Sequence, residues 1–259
     1  MARVIEVIKV GKTYPHPSGP VYALDNISFS VEDGQFVSIV GPSGCGKSTL
    51  LQILSGLLNA TDGEVKVDGR LVTSPVPGTI AVVFQEALLL PWKTALANVE
   101  LPLELRGVAT EQRRRRSLEM LDLVGLTHAV GRYPHELSGG MRQRVSIARG
   151  LAPDPRIVMM DEPFGSLDEQ TRTRMGDELL RIWETTRKTI ILITHSLSEA
   201  IYLSDVVEVM GRDPGRILEE VRIDLPRPRR LDMMGSEVFG QLRNRIWHLI
   251  GDQAGTTVD

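Results

Sequence analysis

The stretch Gly41-Pro42-Ser43-Gly44-Cys45-Gly46-Lys47-Ser48-Thr49 has the residue types and spacing to hold an anion. It follows the apolar run Phe36-Val37-Ser38-Ile39-Val40 and leads into Leu50, Leu51, Ile53 and Leu54 at helical spacing, so the local order reads strand, loop, helix. The three glycines let consecutive backbone N–H groups turn inward without a Cβ clash, and the following helix aims its positive end at the same point. Such a loop cradles phosphate. Lys47 would reach the β- and γ-phosphates as a point charge, and the Ser48 hydroxyl is placed to ligate Mg2+. A plain glycine turn accounts for the glycines but not for Lys-Ser at this spacing, so a nucleotide is the expected ligand, with ATP the better phosphate partner. Cys45 lies beside a helix N-terminus and Lys47, surroundings that lower a thiol pKa, and alkylation slowed by ATP is expected.

Composition sets bounds on what the loop can serve. With 259 residues, 42% hydrophobic and 24% charged, the chain is long enough for one sizeable core or two unequal lobes. The net charge of −3 argues against a generic nucleic-acid coat, which needs a basic excess to release phosphate counterions. The single cysteine excludes an internal disulfide, and the Met-Ala-Arg-Val start lacks the apolar core of a signal peptide. No apolar run of about 18 residues is present, so nothing is expected to span a bilayer. The expectation is a cytoplasmic chain that reaches a membrane only by docking.

The elements that must position the loop can be read from periodicity. Val4, Ile5, Val7, Ile8 and Val10 carry one strand and Ile27, Phe29 and Val31 another, an antiparallel β opening separated by the loop from Pro15 to Pro20, with Tyr14 at its edge. Glu64 to Arg70 reads as a strand running into a turn, and Ile80 to Phe84 as a compact buried strand ending at Gln85. From about residue 94 to 151 the pattern is helical: Leu96, Val99, Leu103 and Leu105 mark one segment, Leu118, Leu121 and Val124 a second capped by Thr110, and a third begins at Ser138. Arg113 to Arg116 reads as a solvated helix face. The apolar run Arg156 to Met160 ends in Asp161-Glu162, Ser166 to Glu169 has capping-box spacing for a helix to about Thr186, and Thr189 to Ile193 is a strand ending at Thr194-His195. Ser196 and Glu199 repeat the capping box. Strand-like runs from Val206 to Met210 and Ile217 to Ile223 close the core, and Pro226-Arg227-Pro228-Arg229-Arg230 reads as a linker into a short helix around Val238 to Ile250. The expected organisation is an ATPase core interrupted by a helical insertion, with boundaries at 1–93, 94–151, 152–223 and a tail at 224–259.

In α/β sheets ligands collect at the carboxyl ends of strands, and three polar tips follow three apolar strands: Gln85, Asp161-Glu162 and His195. Asp161 is an expected partner of Mg2+, and Glu162 beside it can take a proton from attacking water. For Gln85 and His195, spacing alone leaves a role at the phosphate and an incidental strand end equally open.

The run Leu137-Ser138-Gly139-Gly140-Met141-Arg142-Gln143-Arg144-Val145-Ser146-Ile147-Ala148-Arg149 resembles the signature of the ATP-binding cassette ATPases, and the likeness covers about residues 3 to 223. It implies an α/β phosphate-loop NTPase core with an antiparallel β subdomain and an inserted helical subdomain. It also implies that Gln85 senses Mg2+ and water, Glu162 is the catalytic base, Asp168 acts across a dimer, His195 is the γ-phosphate switch and Tyr14 stacks on adenine. Ser138, Gly139 and Gly140 would form a second anion site that closes, in a head-to-tail dimer with two ATP, on the nucleotide held by Lys47 of the other copy. The family usually has Asp after the switch histidine; Ser196 stands here, and with Glu199 it keeps the capping chemistry.

Leu89-Leu90-Pro91-Trp92, Asn98-Val99 and Asp213-Pro214-Gly215-Arg216-Ile217 further resemble the ATPase subunits of bacterial nitrate, sulfonate and taurine importers. That likeness implies a membrane permease as partner, a solute-binding protein acting through it, and a place at the cytoplasmic face of the cell membrane. The tail is too short for the regulatory β domain of sugar- and polyamine-type importers. A soluble cassette clamp without transport is the alternative, but such clamps generally carry two cassettes or a long coiled-coil insertion. The apolar loop after Gln85, with Trp92 as anchor, is the expected permease contact.

Overall fold

The computed structural model describes residues 2–165 and 167–251. In chain order the elements are strands β1 (Arg3–Tyr14), β2 (Val21–Glu32) and β3 (Phe36–Val40), helix α1 (Lys47–Leu54), and strands β4 (Asp62–Val67), β5 (Arg70–Leu71) and β6 (Ile80–Val83). Helices α2 (Ala95–Leu105), α3 (Thr110–Leu123) and α4 (Gly139–Leu151), strand β7 (Ile157–Asp161) and helix α5 (Glu169–Thr186) follow. Strand β8 (Thr189–Ile193), helix α6 (Leu197–Leu203), strands β9 (Val206–Gly211) and β10 (Arg216–Arg222) and helix α7 (Glu237–Gly251) complete the order. The chain divides into two compact units, Met1–Val76 with Thr189–Asp259, and Pro77–Lys188.

In the first unit β3 has a parallel neighbour on each side. Ile39 lies opposite Ile193 of β8, and Val40 opposite Val209 of β9. Every residue of β3, β8 and β9 is buried. A parallel strand covered on both faces needs no polar alternation, which is why these runs read as unbroken apolar sequence. Strand β10 pairs antiparallel with β9 at the edge. The antiparallel opening is present as β2-β1-β4, with β5 beyond.

The segment read as a linker contains two anchors. Arg229 is 5% exposed and donates to the carbonyls of Ile201, Tyr202, Ser204 and Ile223. Arg227 donates to the Leu203 carbonyl and pairs with Asp205 at 2.7 Å. All of these carbonyls but that of Ile223, which follows β10, lie at the end of α6, where C=O groups without an intrahelical partner and the negative end of the helix dipole accept a cation. Burial pushes the Arg229 pKa down to about 10, so the guanidinium stays charged at neutral pH.

In the second unit β6 and β7 pair in parallel, and α2, α3 and α4 pack on one another. Several sequence expectations are corrected here. Three of the four β6 residues are only half-buried, because β6 is an edge strand. Ala109, not Thr110, occupies the N-cap of α3; Gly107 at φ +71° turns the chain after α2, and Thr110 is already helical. Leu105 is exposed at the end of α2, and Leu118 lies off the buried stripe of α3, which is Ser117, Met120 and Leu121. Helix α5 starts at Glu169, with the Asp168 side chain accepting from the Thr171 N–H at 3.0 Å. Ser166, the cap expected from the sequence, lies outside the described residues.

One carboxyl interrupts the apolar β9. Glu208 is 1% exposed, and neither oxygen has a hydrogen-bond partner among the described residues. Burial, reinforced by Glu220 opposite it on β10, pushes its pKa up from 4.5 to about 8. A carboxyl with a raised folded-state pKa contributes stability that is complete below its unfolded value and is lost as pH rises through the folded one. Glu208→Gln stays neutral throughout. It is therefore expected to match the parent protein in Tm near pH 4.5 and to exceed it increasingly toward pH 8. Thermal melts of both proteins across this range check it, and parallel Tm curves would place the carboxyl in water.

Candidate nucleotide site

The first unit carries the phosphate loop. Gly44 and Gly46 have φ of +81° and +94°, the left-handed region that a side chain makes strained, and Gly46 is the N-cap of α1 with no side-chain cap bond. Gly46 thus supplies no side-chain acceptor to the first turn of α1, whose N-terminus is the end of a helix where an anion is stabilised. Lys47 is 6% exposed, and its Nζ donates to the carbonyls of Gly41 at 2.9 Å and Pro42 at 3.1 Å. The ammonium is folded onto its own loop. Ser43, Gly44 and Ser48 are exposed, Pro42 and Thr49 are half-buried, and Gly41 and Cys45 are buried.

Cys45 corrects the sequence expectation. Its thiol is 1% exposed, and burial pushes the pKa up despite Lys47 Nζ at 3.8 Å. Position beside a helix N-terminus suggested an acidic thiol, but desolvation of the thiolate outweighs the charge. Rapid alkylation at neutral pH is no longer expected.

His195 follows β8, and its backbone lies just beyond the residue opposite Ile39, so it leaves the sheet at the same rim as the phosphate loop. The imidazole is exposed. Behind it, Ser196 caps α6 by accepting from the Glu199 N–H at 3.3 Å, as the serine in place of aspartate was expected to do. Tyr14 ends β1 with 37% exposure, and Lys12 Nζ lies 5.2 Å from its ring centroid. A partly exposed aromatic at a strand end is suited to stacking.

The second unit brings Gln85 and Glu162 together. Val83 lies opposite Met160 in the parallel β6–β7 pair, and each side chain sits two residues further on. A Cβ placed on Gly165 would lie 3.1 Å from Gln85 Nε2 and 3.4 Å from Glu162 Oε2, so the amide and the carboxylate border one spot that glycine keeps open. Glu162 itself has φ +43°, a conformation that non-glycine residues rarely take and that collects at functional sites. Asp161, the last residue of β7, is half-buried. On α4, Ser138 caps the helix by accepting from the Met141 N–H at 3.3 Å; Ser138 and Gly139 are exposed, and Gly140 is buried. The Thr171 N–H holds the Asp168 carboxyl below its ordinary pKa.

The loop after Gln85 is fixed from beneath by two side chains whose role periodicity could not reveal. Asn98 is fully buried; its Nδ2 donates to the carbonyls of Leu90, Lys93 and Thr94, and its Oδ1 accepts from the Leu90 N–H at 2.7 Å. Arg149 donates to the carbonyls of Ala87 and Leu88, each at 2.7 Å. With its backbone polar groups engaged inward and Leu88 at φ +45°, the loop holds Leu88 at 56% and Trp92 at 71% exposure. Leu89 and Leu90 are half-buried.

Comparison with known proteins gives the family. The ABC transporter family model matches residues 24–165. A taurine import ATP-binding protein of Rhizobium johnstonii is 47% identical, the match covering 87% of this chain and 88% of that one. A nitrate import ATP-binding protein of Synechococcus elongatus is 43% identical over 90% of this chain and 86% of its own. A dimeric bacterial ABC transporter cassette superposes with a TM-score of 0.76 at 35% identity, covering 86% of this chain and 100% of that one. The glycine-turned phosphate loop, the capped signature helix and the paired Gln85 and Glu162 are thus found in a chain that belongs to the ABC transporter family.

Proposed function

We propose that the protein is the ATP-hydrolysing subunit of an importer that drives uptake of a small anionic solute through a separate membrane permease. Relatives named for taurine, bicarbonate and nitrate transport, at 43–47% identity, support the solute class. The observation that carries the reading is the loop beyond Gln85: its backbone is tied down by Asn98 and Arg149 while Leu88 and Trp92 stand in solvent. An exposed aromatic on an ordered loop suits a protein contact, and the adjoining Gln85 links that contact to the nucleotide. No helix among the described residues is long and apolar enough to cross a membrane, so the translocation path is assigned to the permease. A solute-binding protein would deliver cargo to that permease at the far side, with this subunit docked at the cytoplasmic face.

The loop amides and Lys47 hold the β- and γ-phosphates, and Tyr14 stacks on adenine. By their donor chemistry the Ser48 hydroxyl, the Asp161 carboxylate and the Gln85 amide oxygen would serve as the hard ligands that Mg2+ takes alongside water and phosphate oxygens. The ion supplies charge neutralisation on the phosphates. Water attacks the γ-phosphorus, the bond to the ADP oxygen breaks, and Glu162 takes the water's proton. His195 contacts the γ-phosphate and reports its loss to α6. Ser138, Gly139, Gly140 and Asp168 of one copy complete the site of a second copy, giving a dimer with two ATP; a post-hydrolysis cassette bound to ADP and Pi, 34% identical with a TM-score of 0.74, is dimeric.

Lys47→Ala is expected to weaken MgATP binding on the order of a hundredfold, because it removes a charge-assisted contact to two phosphates. Glu162→Gln should bind ATP normally, lose roughly a hundredfold or more in kcat and accumulate as an ATP-bound dimer, since the base is lost and the cradle is kept. Size-exclusion chromatography of Glu162→Gln with and without MgATP checks this, and a monomer under both conditions counts against the shared site. Trp92→Ala should leave Tm and basal ATPase activity near those of the parent while weakening pull-down of the permease. Unfolding of the isolated subunit would instead make Trp92 part of the core.

A further inference from the structure

The β9–β10 hairpin meets the phosphate loop at two points. At the end of β9, the Met210 carbonyl oxygen lies 2.6 Å from where a Cβ on Gly41 would sit. At the start of β10, a Cβ on Gly215 would lie 2.2 Å from the Cys45 carbonyl oxygen and 2.9 Å from that of Ala23. These obstacles are backbone atoms, so no side chain can swing aside to make room. The hairpin turn is itself fastened to β2: the Gly215 N–H donates to the Ala23 carbonyl at 3.1 Å, the Asp25 N–H donates to the Gly215 carbonyl at 2.9 Å, and Arg216 pairs with Asp25 at 2.8 Å. Strand β2 also reaches the loop, since a Cβ on Gly46 would lie 3.0 Å from the Ala23 carbonyl oxygen.

We propose that the Asp213-Pro214-Gly215-Arg216 turn is a positioning element for the phosphate loop, and that Gly215 is the residue that lets it press against the Cys45 carbonyl. The loop binds phosphate only if its amides face one point, and each amide's direction is coupled to that of the carbonyl preceding it in the same peptide plane. The Cys45 carbonyl and the Gly46 N–H share such a plane. Pressing on the carbonyl from the hairpin side therefore orients the Gly46 N–H, and the Met210 contact at Gly41 fixes the other end of the loop. Gly215 is not among the glycines with φ in the left-handed region; it is required for close approach, so the obstacle to alanine there is the blocked Cβ position. This deepens the nucleotide-binding reading and rests on it.

The test is the MgATP affinity of Gly215→Ala in the full chain, measured by displacement of a fluorescent ATP analogue, with Tm and the maleimide labelling rate of Cys45 on the same preparations. A displacement of the loop amides by a fraction of an ångström is expected to weaken MgATP on the order of tenfold or more, with a cooperative melt retained. Cys45, buried in the parent, should label faster without nucleotide. An affinity within about twofold of the parent in folded Gly215→Ala overturns the proposal. If Gly215→Ala does not fold, Arg216→Ala decides: it releases only the ion pair to Asp25, and a smaller loss of affinity supports the proposal while an unchanged affinity overturns it. Lys47→Ala separates the two levels. If it too binds MgATP as the parent does, the nucleotide reading fails; if it alone loses binding, only the role of the hairpin fails.

Discussion

The parallel pairing of β3 with β8, Ile39 opposite Ile193, delivers the phosphate loop and His195 to one rim of the first unit. The parallel pairing of β6 with β7 does the same for Gln85 and Glu162 in the second. Parallel strands share a direction, so whatever follows their carboxyl ends is collected on one side, which is where ligands bind in open α/β sheets. Burial of β3 and β8 on both faces leaves no polar alternation in their sequence, so their order and direction in the sheet place the residues that follow them. The proposed chemistry depends on that constraint. Lys47, Glu162 and His195 lie far apart in sequence, and each is placed by the strand it follows.

Buried polar groups divide by whether they are satisfied. Asn98 spends its amide on four bonds to the loop backbone, and Arg229 donates to four carbonyls near the end of α6 and of β10, so each specifies a local conformation. Glu208 is the opposite case, a carboxyl kept neutral by burial. Glu162, at the proposed base, and Leu88, in the proposed permease loop, are among the non-glycine residues with positive φ.

Much of this was legible in the sequence because it was written in local patterns. The strand, loop and helix around Lys47, the caps Ser138 and Ser196, and the antiparallel opening all follow from periodicity and cap chemistry within a few residues. What escaped was set by tertiary surroundings. Cys45 looked acidic from its neighbours in the chain, whereas its burial against the rest of the unit decides its pKa. The Pro-Arg segment after β10 looked like a linker because its acceptors, the carbonyls at the end of α6, lie more than twenty residues earlier. Gly215 stood out in the sequence only as part of the Asp213-Pro214-Gly215-Arg216-Ile217 likeness; the Cys45 carbonyl that crowds it is remote in sequence. The cap of α5 at Asp168 was displaced from the expected Ser166 because a carboxylate three residues before Thr171 serves the same orphan amide.

In the proposed site the backbone amides and Lys47 of the phosphate loop carry the binding of nucleotide, with the base contact at Tyr14 secondary. Competition against a fluorescent MgATP analogue by magnesium tripolyphosphate and by adenosine, run side by side, tests this most directly. Tripolyphosphate is expected to displace the analogue at concentrations where adenosine has no effect. Displacement by adenosine with tripolyphosphate inert would contradict it.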